Sequence, residues 1–102
     1  MEIYKVIITP AAQDDITNIV KYLYGFSANI ALRYYDEIDG AINSLVTVPY
    51  RRSLVQCESL RDKEYRWLAV RNYTLFFIVN EQSKIVRIER VLHSLQEYDV
   101  LL

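Results

Sequence analysis

Residues Tyr65–His93, YRWLAVRNYTLFFIVNEQSKIVRIERVLH, leave this chain few folds to choose from. Three runs, Tyr65–Val70, Tyr73–Val79 and Lys84–Leu92, are dense in Val, Ile, Tyr, Phe and Trp, residues that suit a pleated surface. The joins Arg71-Asn72 and Asn80-Glu81-Gln82-Ser83 are short, and Asn takes left-handed backbone at low cost, so both read as hairpin loops. The expected unit is a three-stranded antiparallel meander. Its middle strand is apolar at nearly every position. Such a strand is covered on both faces, or one face waits for a partner. Phe76 and Ile78 point one way; Tyr73, Leu75, Phe77 and Val79 point the other. Tyr73, Leu75 and Phe77 are expected to meet a partner protein. The third run alternates, and Arg90 falls in register with Val86, Ile88 and Leu92. Either a bulge turns this charge out of the apolar row, or it serves a site.

Ahead of the meander, Glu2–Thr9 suits a first strand. Thr9-Pro10 is a helix start, with Thr as cap and Pro in the first helical position. Ala12, Ile16, Ile19, Val20 and Leu23 then recur at steps of three or four, one stripe of a helix. Asp14 and Asp15 fall in its first turns, where the helix dipole favours acids. Gly25 ends it, where a left-handed residue is usual. Ser27 caps a second helix with the stripe Ala31, Tyr34 or Tyr35, Ile38, Ala41, Ile42 and Leu45, closed by Val48-Pro49. Two helices with a short joint bury one side on the sheet. The fold expected is α+β in two layers: N-terminal strand, helical hairpin, then the meander. Pro49–Lys63 shows no period and reads as a long link that carries Arg51, Arg52, Arg61 and Lys63.

A chain of 102 residues, 52% hydrophobic, fits one domain with one core. The single cysteine, Cys57, excludes an internal disulfide and reads as a packing residue. No apolar run approaches membrane-spanning length and no signal core follows the start, so a cytoplasmic protein without a membrane partner is expected. Net charge is -1, a poor match to a dedicated nucleic-acid binder. The charge is uneven, however: residues 1–50 are acidic and residues 51–90 carry nine bases against five acids. The link and meander could thus present a positive patch.

Several chemistries are absent. Two glycines make no phosphate loop, one His and one Cys make no zinc site, and no nucleophile elbow occurs. No metal or other cofactor is expected. What remains is arginines, tyrosines and one histidine. Attack of a 2′-hydroxyl on its own phosphodiester needs a base, an acid and cations on the phosphate. His93 and Tyr98 are candidate proton carriers, with Arg66, Arg71 and Arg90 as candidate cations.

The order of these elements resembles the RelE/ParE superfamily of small bacterial toxins. The residues that carry the resemblance are Ile8-Thr9-Pro10-Ala11-Ala12 with Asp14-Asp15-Ile16, then Pro49. Tyr65-Arg66-x-Leu68-x-Val70-x-Asn72-Tyr73 and Phe76-Phe77-x-Val79 follow. Ile88-x-Arg90-Val91-Leu92-His93-Ser94-Leu95-Gln96-Glu97-Tyr98 completes the set. The resemblance implies the toxin of a type II toxin–antitoxin pair, bound by a small cognate antitoxin in a hetero-oligomer. In the RelE-like branch the implied activity is cleavage of mRNA on the ribosome, with Arg66, Arg90, His93 and Tyr98 as the catalytic set. In the ParE-like branch it is inhibition of DNA gyrase. A binding-only member with neither activity is the third option. Arg51, Arg52, Arg61, Lys63 and Arg71 are the expected target-binding cations. Thr74 and Ser94 stand where RelE-like nucleases usually place bases, so the branch stays open at this point.

Overall fold

A computed structural model describes residues 2–47, 49–51 and 63–95. The elements in order are strand β1 (Lys5–Ile8), helices α1 (Pro10–Tyr24) and α2 (Ala28–Ser44), a single 3-10 turn (Pro49–Arg51), and strands β2 (Arg66–Val70), β3 (Tyr73–Asn80) and β4 (Ile85–His93). The strands form one sheet in the order β1-β4-β3-β2. β2, β3 and β4 are the antiparallel meander, and β1 joins the far side of β4 in parallel. The sequence argument for a two-layer α+β fold therefore holds. The parallel pairing is the element that it did not supply.

The helix starts follow from their caps. Thr9 accepts a hydrogen bond from the Ala12 N–H at 3.1 Å, with Pro10 next in the chain. Ser27 does the same for Ile30 at 3.3 Å. Each satisfies a donor that the first helical turn leaves without an intrahelical partner. Two details differ from expectation. Asp14 and Asp15 lie beyond the first turn of α1, because the helix already begins at Pro10. Gly25 ends α1 with right-handed backbone, φ -62°. The chain there runs straight on to α2, and Phe26 and Ser27 donate to the Leu23 carbonyl instead. In the hairpin loops the left-handed residues are Arg71 (φ 53°) and Lys84 (φ 56°) rather than asparagines. Asn80 contributes through its side chain, which accepts from the Ser83 N–H at 3.1 Å.

Both helices bury their stripes on one face of the sheet. Ala12, Ile16, Ile19, Ile38 and Ile42 meet Leu68, Leu75, Phe77, Val86, Ile88 and Val91 in a single core. Leu75 and Phe77 are fully enclosed and Tyr73 is 8% exposed. The expectation that these three meet a partner is therefore corrected: they face the helices and are already covered. Alternation shows which side chains share a face, but not which face the helices choose.

The meander contains one irregularity. Phe76 stands opposite Arg90 and Phe77 opposite Ile88, so the register skips Glu89. The parity of β4 flips at this bulge. Val86 and Ile88 face the helices before it and Val91 after it. Arg90 thereby leaves the apolar row.

Candidate functional site

The bulge lies where β1 has ended and α1 takes its place beside β4. Thr9 binds both elements: its N–H donates to the Ile88 carbonyl at 3.1 Å and its hydroxyl to the Glu89 carbonyl at 3.0 Å. One and a half turns on, the Asp15 carboxylate takes the Arg90 guanidinium through Nε (2.6 Å) and Nη2 (2.9 Å). The same carboxylate accepts the Val91 backbone N–H at 3.0 Å. A bidentate arginine plus an amide is a strong arrangement for an acid, and it holds the Arg90 guanidinium above its ordinary pKa. Arg90, a candidate catalytic cation, thus ties α1 to β4.

His93 lies at the end of β4. Its ring sits edge-on to Tyr73, with centroids 5.4 Å apart, and Tyr73 is edge-on to Tyr34 at 6.0 Å. Its Nδ1 accepts from the Leu95 N–H at 3.1 Å, so in the neutral ring the proton is on Nε2. Beside it the hydroxyls of Thr74 and Ser94 are 3.1 Å apart. Arg66 lies at the other end of the sheet, its guanidinium 4.9 Å from the centre of the Tyr50 ring. Arg66 pairs with Phe77, and His93 with Tyr73. Four positions of β3 separate them along the strand, about 13 Å, and two strand spacings separate them across it, about 10 Å. Tyr98 lies outside the described residues. The structure does not bring Arg66, Arg90 and His93 to one phosphate.

Of the expected target-binding cations, the structure describes the side chains of Arg71 and Lys63. Arg71 is paired with Glu37 on α2, Nη2 to Oε1 at 3.0 Å, and its guanidinium lies over the Tyr34 ring at 5.1 Å. That contact pulls the Glu37 carboxyl below its usual pKa. Lys63 is exposed in a turn. The Arg51 side chain, Arg52, Arg61 and Cys57 lie outside the described residues.

Two features had no clear signal in the sequence. The first is an acid at the centre of a knot. Glu81 accepts from the hydroxyls of Tyr50 (2.7 Å) and Tyr4 (2.8 Å) and is paired with Lys84, which also meets Glu2 at 3.1 Å. Lys84 first, then the Tyr50 and Tyr4 hydroxyls, pull the Glu81 carboxyl from 4.5 to about 2. Burial, then the bonds to Glu81 and Glu2, push the Tyr4 phenol well above its usual value. Next to the knot is a cavity of about 490 Å³, lined by Tyr50, Glu64, Arg66 and the end of β3. The second feature is an aromatic surface at the joint of the two helices. Tyr22 (64% exposed) and Phe26 (71%) stack edge-on at 5.2 Å, with Tyr24 and Leu32 exposed nearby in sequence. Trp67 on β2 and Ile7 and Ile8 on β1 are exposed as well, though less so.

Among the described residues no cluster of His, Cys, Asp and Glu could hold a metal ion, and no helix is long and apolar enough to cross a membrane. No curated protein matches the sequence. Solved structures that share the fold include two toxin–antitoxin assemblies. One is the toxin–antitoxin complex RelBE2 from Mycobacterium tuberculosis, with a TM-score of 0.64 and 20% identity over 89% of this chain and 98% of that one. The other is the chromosomal ParDE toxin–antitoxin system from P. aeruginosa, with a TM-score of 0.73 and 18% identity over 89% of this chain and 96% of that one. The sequence model described as ParE toxin of type II toxin-antitoxin system, parDE, matches residues 6–98. That span runs from β1 through the bulge to the C-terminal tyrosine, and with it the chain belongs to the ParE toxin family of type II toxin–antitoxin systems.

Proposed function

We propose that this toxin acts in the cytoplasm by binding a macromolecular target, DNA gyrase, rather than by cutting RNA, and that a small cognate antitoxin neutralises it. One observation carries the choice. Arg66 and His93 sit at opposite ends of the sheet, while Arg90 is taken up by Asp15. A cleavage site needs its acid, base and cations within hydrogen-bond reach of one phosphate. The net charge of -1 also suits a protein target better than ribosomal RNA, where phosphate contacts supply much of the affinity. The exposed aromatic joint of α1 and α2 is the kind of surface that protein partners bury, since Tyr and large apolar anchors dominate interface energetics.

The test is expression without antitoxin, with three readouts. Growth should stop, cells should become filamentous, and the purified chain should inhibit supercoiling by gyrase. His93→Ala and Arg66→Ala should leave growth arrest intact. Messenger RNA cut at ribosome-occupied codons, with the cuts lost in His93→Ala, would show the RelE-type activity of Arg66, Arg90, His93 and Tyr98 and sink this proposal. Co-expression with the product of the neighbouring reading frame should restore growth and yield a co-purifying complex.

A further inference from the structure

The joint of the two helices stands out from the core. The last buried residue of α1 is Ile19 and the first of α2 is Ala31, and residues 20–30 include none that is buried. Tyr22, Tyr24, Phe26 and Leu32 are each more than half exposed. The turn that carries them is fixed: Phe26 and Ser27 donate to the Leu23 carbonyl, and the Ser27 hydroxyl caps α2. The Tyr22 and Phe26 rings brace each other edge-on. The charge of this tip is one-sided. From Ile16 to Tyr35 the chain has Lys21 and Arg33 and no Asp or Glu, and both bases are exposed. Glu37, a turn beyond Arg33 and within its field, is taken up by Arg71. Among the described residues neither Lys21 nor Arg33 is in a salt bridge.

We infer that this tip is the contact with the target protein, and that it enters an apolar recess of gyrase rimmed by acidic side chains. The inference rests on the gyrase reading above and goes further, in assigning the surface and the chemistry that meets it. Aromatic anchors contribute most when they fill a pocket that closes around them. A knob at the end of a hairpin therefore fits a concave site on a folded protein, whereas a peptide partner needs a groove in which to lie. A fixed turn also spares the partner the cost of ordering it. Lys21 and Arg33 beside the anchors select carboxylates at the rim of that site. Two bases are too few for a nucleic acid, whose affinity is built on many phosphate contacts. A second copy of this chain fits poorly. Pairing tip to tip sets the Lys21 and Arg33 of one copy against those of the other, so self-association there is weak and belongs to high concentration.

Supercoiling by gyrase, titrated with the purified chain, tests this. Tyr22→Ser/Phe26→Ser should raise the concentration needed for inhibition about tenfold or more, the loss expected of central anchors, with the Tm unchanged. Lys21→Gln/Arg33→Gln should raise it several-fold and flatten its dependence on salt, since the bases act through the field of an acidic partner. Both bases lie on the surface, so the glutamine pair decides the matter if the serine pair lowers the Tm. If both pairs inhibit as the parent does, the tip is not the contact; the inference fails and the gyrase reading stands. Glutamine variants with the parent's inhibition and salt dependence mean that the recess is not acidic, which overturns the inference as well. Variants that still inhibit gyrase but no longer co-purify with the product of the neighbouring reading frame assign the tip to the antitoxin and also overturn it. A parent chain that does not inhibit gyrase removes the gyrase reading and this inference together.

Discussion

Asp15 does more for this fold than its place in the second turn of a helix suggests. Its carboxylate meets three donors on β4, and its side chain is only 14% exposed. Asp15→Ala removes the carboxylate that the Arg90 guanidinium and the Val91 N–H share, which should cost about 2–4 kcal/mol in urea denaturation. Asp15→Asn retains an acceptor for Val91 and should cost less. Equal losses from the two would mean that the charge, and not the amide bond, is what matters. Glu81 gives a pH test. Its carboxyl is pulled from 4.5 to about 2 in the folded chain, so the native state favours the ionised form. The stability this supplies is present above pH 4.5 and is lost as pH falls toward 2. Glu81→Gln should lower the Tm at pH 7, and its melting curve should converge with that of the parent near pH 2. A constant gap across that window would contradict the assignment.

At the scale of elements, α2 carries a glycine it does not need. A Cβ at Gly40 would have nothing within 4 Å, and the position is mid-helix. Gly40→Ala should therefore stabilise the chain by about 0.5–1 kcal/mol through the unfolded state, read as a higher urea midpoint with an unchanged slope. The helices were legible in the sequence because their stripes and caps are local: Thr9 and Ser27 act on residues three positions away. The meander was legible for the same reason. Arg90 stood out as a charge in an apolar row, and the bulge accounts for it, but its partner Asp15 lies at the other end of the chain where no local period reaches. Tyr73, Leu75 and Phe77 show the limit of alternation. A strand apolar on both sides carries no mark of the side on which the helices settle. Arg66 and His93 are plausible partners in composition and stand far apart in register, a separation that no local pattern announces.

At the scale of the molecule, the helical hairpin carries a marked apolar surface among the described residues. Tyr22 and Phe26 are more than half exposed, so the free chain should self-associate at high concentration. The double substitution Tyr22→Ser/Phe26→Ser should reduce that association in sedimentation without lowering the Tm, since neither ring belongs to the core. A fall in Tm would mean that the pair holds the helices together. The strand order carries a different consequence. Lys5 is paired with Ile85 and Ile8 with Ile88, so the first strand finds its place only beside the last. β4 also holds β3, Thr9 and Asp15. Contacts so distant in sequence form late. During synthesis the sheet stays open until nearly all of the chain has emerged, and a truncated product lacks the strand that joins its two halves. A poison assembled in this order is harmless until it is complete.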